Sequence, residues 1–304
     1  ASFFFELPLR QEPEEIICEP KAYLNELMMD DNSGQPSAKE VFDTTPYTIL
    51  VVDDNPDMTD FLKRTFEGYF KRIIIAGDGV EALQLVRSHV PDIIVSDVMM
   101  PRMNGYKLCK TIKEDINISH IPVILLTARD DRQSQISGYK NGADGYLSKP
   151  FEVEMLMELI RNRLKNREYT KKRYLNAGLI PTPEESTISL TDETFLIKLN
   201  SIIQENIENS NLGIQFICQE VGLGRSSLYN KLKALTGMGA NEYISKLRIE
   251  KAITLISGTD MPFSEIAEKT GFTTPSYFST AFKQYTGETP SQYKERKKKG
   301  LADK

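Results

Sequence analysis

Between residues 47 and 166, short apolar runs alternate with segments whose apolar positions recur every three to four residues. The short runs are rich in β-branched residues and almost continuously apolar, which is typical of strands covered by helices on both faces. The longer segments, such as residues 80–89, have the spacing of amphipathic helices. This alternation predicts a doubly wound α/β domain. We predict five parallel strands, at residues 48–52, 72–76, 92–96, 122–126 and 144–148.

Polar residues with related chemistry follow these predicted strands. Asp53 and Asp54 follow the first strand, Asp97 the third, Thr127 the fourth and Lys149 the fifth. In a doubly wound sheet with strand order 2-1-3-4-5 these ends converge. Three carboxylates in one crevice need a cation, and their oxygens suit Mg2+. A carboxylate that attacks a phosphoryl group needs cationic and hydroxyl groups around the phosphoryl oxygens. The pattern therefore predicts a site of aspartyl phosphorylation.

Four segments, ILVVDDN, IIVSDVMMPRMNG, ILLTA and GYLSKPF, resemble the marker segments of response-regulator receiver domains. The resemblance covers about 120 residues and implies the flavodoxin-like strand order 2-1-3-4-5. It implies that Asp97 accepts the phosphoryl group. It also implies that Asp54, Asp97 and the backbone carbonyl of Met99 hold Mg2+, which Asp53 supports through water.

The same resemblance implies roles for residues around the phosphoryl group. Thr127 and Lys149 would contact the phosphoryl oxygens, and Tyr146 would turn inward as a switch when Thr127 moves. Met99 has no polar side chain to orient an attacking water, so we expect slow loss of the phosphoryl group. Two alternatives stay open: a receiver that binds partners without being phosphorylated, and an enzyme that uses Asp97 as a nucleophile. No general acid or base near Asp97 is evident for such an enzyme.

The part of the chain beyond residue 191 has a helical pattern and contains an internal repeat. Residues 226–237 (SSLYNKLKALTG) align with residues 276–287 (SYFSTAFKQYTG) at an offset of 50. Upstream the offset is 49, which pairs Gly222 with Gly271 and predicts one additional residue in the second turn. A helix, a tight turn with glycine and a second helix form a helix-turn-helix unit. The sequence thus predicts an all-α domain with two such units.

The second helix of each unit is predicted at about residues 225–235 and 274–285, with one apolar and one polar face. The apolar faces are expected to be buried through Leu228, Leu232, Leu235, Phe278, Phe282 and Tyr285. The polar faces could enter successive major grooves of double-stranded DNA. Their candidate DNA contacts are Arg225, Ser226, Ser227, Tyr229, Asn230 and Lys233 in the first unit, and Thr274, Ser276, Tyr277, Ser279, Thr280 and Lys283 in the second.

The repeat, together with KLRIEKAITLI and IAEKTGF, resembles the AraC-type DNA-binding domain over about 100 residues. Asn230 and Thr280 stand where many members have a basic residue, and Ala240 replaces a common proline, so fewer phosphate contacts are expected. A helical domain that binds protein instead of DNA remains an alternative.

The composition gives no indication of a membrane-spanning, secreted or zinc-binding protein. No run of about 18 apolar residues is present, so we expect no membrane span and no secretion signal. Cys18, Cys109 and Cys218 are widely spaced and odd in number, which favours a reducing cytoplasm over a disulfide framework or zinc site. His89 and His120 are expected to be structural. The net charge is -5, yet the helical half leans basic, which permits DNA binding.

The segment SFFFELPL near the beginning resembles the last strand of a histidine-kinase ATP-binding domain, although an acidic disordered leader would also fit. Kinase, receiver and AraC-type domain in that order resemble hybrid two-component regulators, which control polysaccharide-utilisation genes in gut anaerobes. This resemblance implies an upstream histidine kinase in the same polypeptide, anchored in the inner membrane by a sensor region. It also implies an active homodimer, and no enzymatic activity or membrane contact in this part. The predicted domains are a kinase remnant with acidic linker (1–46), a receiver (47–167), a linker (168–194) and a DNA-binding domain (195–304).

Overall fold

The computed structural model describes residues 42–128, 142–176 and 189–302. In these residues, five strands form one parallel sheet in the order β2-β1-β3-β4-β5, which confirms the predicted architecture. The strands are β1 (Thr48–Val52), β2 (Arg72–Ala76), β3 (Ile93–Asp97), β4 (Val123–Ala128) and β5 (Gly145–Lys149).

The last three strands begin one residue later than predicted, because the expected first residues are Asp92, Pro122 and Asp144. The Asp92 carboxylate accepts a hydrogen bond from the backbone N–H of Thr48, at 2.9 Å. The Asp144 carboxylate accepts one from the N–H of Val123, at 2.7 Å. Proline has no N–H to give to a sheet. These three residues therefore cap strands instead of extending them.

Four described helices belong to the receiver half: α1 (Pro56–Phe66), α2 (Gly79–His89), α3 (Gly105–Glu114) and α4 (Val153–Asn176). Side chains alternate between the two faces of a strand, so Ile49 and Val51 pack with α1 and α4. Leu50 and Val52 pack on the other face with α2 and α3. Both faces of the sheet are covered, as the continuous apolar runs predicted.

Helix α4 extends into the range 168–194, which was expected to be a linker. Its first half buries Leu156, Ile160 and Leu164 against the sheet. Its last turns contact the helical domain, and Tyr174 belongs to that domain's core. Packing stabilises helical turns that lack a strong apolar period of their own. Residues 177–188, and residues 1–41 with most of the expected kinase remnant, lie outside the described residues.

Seven described helices follow: α5 (Leu190–Glu205), α6 (Ile214–Val221), α7 (Arg225–Thr236), α8 (Ala240–Gly258), α9 (Phe263–Lys269), α10 (Pro275–Thr286) and α11 (Pro290–Ala302). Helices α6 and α7 form the first helix-turn-helix unit, and α9 and α10 form the second. Helix α8 joins them, because its first half packs in one apolar core and its second half in the other. None of the helices in the described part of the chain is long and apolar enough to cross a membrane.

The two turns differ by the one residue that the repeat predicted. Two residues separate Gly222 from α7, whereas three separate Gly271 from α10. Both glycines have left-handed backbones, with φ of 75° and 73°. A Cβ atom at Gly271 would lie 2.2 Å from the carbonyl oxygen of Ile207, so only glycine fits that turn. The prediction that Tyr285 is buried is wrong: it is 37% exposed, and its hydroxyl donates to Glu250.

A buried ion pair of the helical domain is hydrogen-bonded to a hydroxyl group of the receiver. Lys231 of α7 is fully buried and pairs with Asp192 of α5. Its ammonium also donates to the Ser119 hydroxyl of the receiver, at 2.7 Å, and that hydroxyl donates to Asp192, at 2.7 Å. Burial opposes ionisation of Asp192, but the charge and hydrogen bonds of Lys231 hold its pKa below the usual range. Burial lowers the pKa of Lys231, and the charge and hydrogen bond of Asp192 oppose that effect. Because each charge stabilises the other at direct contact, the pair is ionised, and it has little contact with water.

We predict that Lys231→Ala destabilises the chain by about 3–5 kcal/mol, because it leaves the Asp192 carboxylate buried without a counter-ion. The exposed neighbour Lys233 offers a matched control, and Lys233→Ala should change stability by less than about 0.5 kcal/mol. Urea unfolding followed by circular dichroism measures both. Equal stability of the two variants would contradict a buried ionised pair.

Candidate functional site

Four of the predicted site residues meet at one edge of the sheet. Asp53 directly follows β1, and Asp97 is the last residue of β3, which pairs with β1. Thr127 is the next-to-last residue of β4, and Lys149 is the last residue of β5. Because all strands are parallel, their carboxyl ends lie together. The strand order therefore gathers residues that are up to 96 positions apart in sequence.

The ammonium group of Lys149 lies between two buried carboxylates. It donates to Oδ1 of Asp97 at 2.5 Å and to Oδ2 of Asp53 at 2.9 Å. The second oxygen of each carboxylate accepts from the backbone two residues further on, Asp97 from Met99 N–H at 2.7 Å and Asp53 from Asn55 N–H at 2.9 Å. These bonds fix the orientation of both carboxylates.

Burial controls the charges of this cluster. Asp53 and Asp97 are only 3% and 7% exposed. Burial raises the pKa of Asp97, and the hydrogen bond and charge of Lys149 offset only part of that effect. Burial lowers the pKa of Lys149, but the bonds and charges of Asp97 and Asp53 outweigh it, so the pKa is raised. Lys149 stays cationic, and Asp97 is a more basic, and hence more nucleophilic, carboxylate than an exposed aspartate.

The hydroxyl of Thr127 is buried and has no hydrogen-bond partner among the described residues. Buried hydroxyl groups are nearly always paired. Thr127 lies at the same sheet edge as Asp97 and Lys149, so this hydroxyl is available to an oxygen atom of a group bound there. That position fits the role of phosphoryl contact expected for Thr127.

The expected metal ligands are only partly brought together. Asp53 and Asp97 both lie within 3 Å of the Lys149 nitrogen, so two carboxylates surround one cation position. Asp54 is exposed, and within residues 42–128, 142–176 and 189–302 no group of three acidic, histidine or cysteine side chains is close enough to hold a metal. The Met99 side chain is 72% exposed. Hard oxygen donors suit Mg2+, which keeps several waters, so the pair Asp53 and Asp97 fits this ion without a third carboxylate.

Gly105 is a site residue that we did not single out in the sequence. A Cβ atom there would lie 2.3 Å from the carbonyl oxygen of Asp97. The N–H of Gly105 donates to the carbonyl of Val98 at 3.0 Å, and α3 begins at this residue. Glycine thus lets α3 start directly against the Asp97 backbone. Its place in the segment MNG, shortly after the aspartate, was the available signal.

Tyr146 lies on β5, three residues before Lys149, and is half-buried against the core under α2 and α3. Its expected role as a switch stays a prediction, because the structure describes one arrangement of this side chain.

The predicted DNA contacts lie where the sequence placed them, on the outer faces of α7 and α10. Ser227, Asn230 and Ser279 are half-buried. Thr274 also caps α10, because its hydroxyl accepts from the N–H of Tyr277 at 3.2 Å. The exposed members are Arg225, Ser226, Tyr229, Lys233, Thr274, Ser276, Tyr277, Thr280 and Lys283.

Comparison with known proteins identifies the family to which the chain belongs. A model of the response regulator receiver domain matches residues 49–161, and a helix-turn-helix domain model matches residues 217–296. The response regulator MprA of Mycobacterium sp. (strain KMS) is 36% identical over 165 residues, which are 50% of this chain and 70% of MprA. The chain belongs to the response regulators.

Two other proteins are similar to larger and smaller shares of this response regulator. Histidine kinase P4 of Formosa agariphila is 41% identical over 249 residues, which are 82% of this chain but 18% of that protein. The receiver domain of Francisella response regulator 1452 is 37% identical and covers 40% of this chain and 98% of its own, with a TM-score of 0.37.

The two family models give the domain order of this response regulator. It has a receiver domain followed by an AraC-type helix-turn-helix domain. Receiver domains in general bind Mg2+ for phosphorylation. This architecture is typical of a regulator that is not itself an enzyme.

We predict that Lys149→Met raises the pKa of Asp97 further. The variant loses the ammonium charge that lowers this pKa and partly offsets the effect of burial. A raised folded-state pKa means that stability from this group is lost as the pH rises through that pKa, so the variant should be least stable when Asp97 is ionised. Carbon-13 NMR titration of the carboxyl groups in magnesium-free buffer measures the midpoint. Lys63→Met, at an exposed position on α1, should leave the midpoint unchanged. An Asp97 titration midpoint that is unchanged or lower in Lys149→Met would contradict the proposed effect of Lys149 on the Asp97 carboxylate.

Proposed function

We propose that this chain is the output part of a hybrid two-component regulator, in which Asp97 accepts a phosphoryl group and thereby controls DNA binding. The observation that carries the proposal is the geometry around Asp97. A buried carboxylate with a raised pKa lies 2.5 Å from the Lys149 ammonium, beside a second carboxylate and an unpartnered hydroxyl. This set supplies the nucleophile, the cation and the hydroxyl group that acceptance of a phosphoryl group needs.

The residues around Asp97 divide the chemistry among them. An oxygen of Asp97 forms the new bond to phosphorus as the bond between phosphorus and the kinase histidine breaks. The Lys149 ammonium and the Thr127 hydroxyl contact the phosphoryl oxygens, where negative charge accumulates. Asp54, Asp97 and the backbone carbonyl of Met99, supported by Asp53 through water, would hold Mg2+, which would neutralise charge between the carboxylates and the phosphate.

Met99 supports a long-lived phosphorylated state. Its side chain is exposed and has no polar group to orient a water molecule towards the aspartyl phosphate. Movement of Thr127 towards the phosphoryl group, followed by Tyr146, would then change the surface at β5. A stable modification suits a transcription regulator, since DNA binding and transcription outlast a brief signal.

Helices α7 and α10 are the proposed DNA-contacting elements. Their exposed faces combine two lysines, Lys233 and Lys283, with hydroxyl and aromatic side chains. Lysines contact phosphates, while hydroxyl groups and Arg225 can contact base edges. Phosphorylation would favour a homodimer that places two such domains on paired sites.

The kinase that phosphorylates Asp97 would precede this chain in one polypeptide. Histidine kinase P4 supports this, since it is 41% identical over most of this chain and much longer. The control of carbohydrate-utilisation genes, the inner-membrane anchor and the cytoplasmic location of this part stay predictions from the family resemblance.

We predict that acetyl phosphate with Mg2+ labels the chain once, and that Asp97→Asn abolishes the label, because an amide cannot form the acyl phosphate. Asp57→Asn, at an exposed position in the first turn of α1, is the matched control and should label normally. Intact-mass spectrometry measures the added phosphoryl group. Retained labelling of Asp97→Asn would exclude this acceptor, and repeated turnover of acetyl phosphate would indicate an enzyme instead.

We predict that the chain binds duplex DNA with an affinity that falls as salt rises, because lysine–phosphate contacts release counterions. Lys233→Ala and Lys283→Ala should each reduce the slope of log K against log salt by about 0.9, the value of one lost phosphate contact. Lys198→Ala, at an exposed position of α5, should leave the slope unchanged. Fluorescence anisotropy with unselected duplex DNA measures all four proteins. Binding without salt dependence would favour a protein-binding role.

A further inference from the structure

A polar cavity of about 80 Å3 lies where the receiver meets the helical domain. Its wall combines the connection between α3 and β4, the middle of α4, the beginning of α5 and the end of α7. The volume is several times what one water molecule needs, so a group of several heavy atoms fits. The lining residues that matter here are Lys113, His120, Asp144, Arg163, Arg167 and Asp192.

The charges of this wall do not cancel. Asp144 pairs with Lys113 at 2.7 Å, and Asp192 pairs with the buried Lys231. Both acidic residues of the wall are therefore neutralised by lysines. Arg163 has no ion pair or hydrogen bond to any residue that the structure describes. Within the part of the chain that the structure describes, one guanidinium charge at the cavity thus has no counter-ion.

Three buried nitrogen atoms of the lining residues also lack partners among the described residues. They are Nδ1 of His120, Nε of Arg163 and Nε of Arg167. His120 is only 7% exposed, and Arg167 uses Nη1 to donate to the carbonyl of Asp92 at 3.0 Å. An arginine Nε always carries a hydrogen, and a neutral histidine can carry one on Nδ1. Buried donors usually have acceptors, so three such donors at one cavity make it a candidate binding site for a group with acceptor oxygens.

Among the described residues of the wall, the three cations Lys113, Arg163 and Arg167 outnumber the two carboxylates. Burial and the charges of Arg167 and Lys231 lower the pKa of His120 to about 3, so its ring is neutral at physiological pH. Helix α5 begins at this cavity, behind its capping residue Ser189. The N-terminal end of a helix carries partial positive charge. A neutral ring can donate its Nδ1 hydrogen to an anion, and the charge of Arg163 attracts one.

We propose that this cavity binds a small oxyanion of the phosphate class, held by Arg163, Arg167 and His120. Arginine guanidinium groups are well suited to phosphate because they donate several hydrogen bonds in a fixed geometry. Three donors on two different elements match the tetrahedral oxygens of phosphate better than the planar pair of a carboxylate. The ligand is either free phosphate or the phosphate group of a small phosphorylated metabolite.

Such a ligand would strengthen the contact between the domains. Arg163 and Arg167 belong to α4, whereas Asp192 belongs to α5, and Lys231 of α7 pairs with Asp192. A ligand that binds only the docked arrangement stabilises it in proportion to its affinity and concentration. The cavity thus adds a chemical input to the regulator that is independent of phosphorylation at Asp97.

The test is isothermal titration calorimetry of the full chain carrying Asp97→Asn, without Mg2+, so that the phosphoacceptor site does not compete. Inorganic phosphate should bind saturably at one site, and Arg163→Gln should weaken it at least about tenfold. Lys165→Gln removes the same charge from an exposed position of α4 and should change the affinity by less than about twofold. Glycerol 3-phosphate is the second ligand: tighter binding of inorganic phosphate identifies the free ion, and tighter binding of glycerol 3-phosphate identifies a phosphorylated metabolite.

Nitrogen-15 NMR of the arginine Nε–H groups gives a second result that needs no variant at the cavity. Added phosphate should shift the Nε–H signals of Arg163 and Arg167 along one saturation curve. Absence of saturable binding, or equal affinities of the Arg163→Gln and Lys165→Gln chains, overturns the proposal. Unchanged Arg163 and Arg167 signals at saturating phosphate overturn it as well, whether or not Arg163→Gln folds.

Discussion

Two buried carboxylates at the ends of neighbouring strands are the constraint on which the signalling half depends. Asp53 and Asp97 follow the paired residues Val52 and Ser96, so the register of β1 and β3 sets them side by side. Their repulsion needs a cation, and Lys149 supplies it from β5, beyond β4. A slip of one residue in any of these strands would turn a site residue to the opposite face. The site therefore forms only when the strands have this order and this register.

The two halves of the chain contact each other through charged groups as well as apolar ones. Helix α4 starts on the sheet and ends in the core of the helical domain, while Lys231, Asp192 and Ser119 form a buried polar junction beside it. An apolar contact changes little with charge, but a buried ion pair depends on each of its partners. A junction of this kind can be shifted by a modest change in charge nearby, which suits an element between a phosphorylated domain and a DNA-binding domain.

The sequence was most informative where structure is local. Strand positions and the residues after them followed from apolar runs, and the one-residue difference between the two turns followed from the repeat. The starts of β3, β4 and β5 did not, because Asp92 and Asp144 bond to neighbouring strands. The end of α4 and the partner of Lys231 depend on contacts between domains, which no local pattern contains. Lys231 did interrupt the apolar face of α7, and that interruption was the available signal.

The central claim is that one carboxylate, that of Asp97, carries the signal. Borohydride reduction of the phosphorylated chain converts an aspartyl phosphate into homoserine, and peptide mass spectrometry then locates it. The account predicts homoserine at position 97 and at no other aspartate, including Asp53 and Asp54. Homoserine at another position, or a phosphoryl group that resists reduction because it is not an acyl phosphate, would contradict the account.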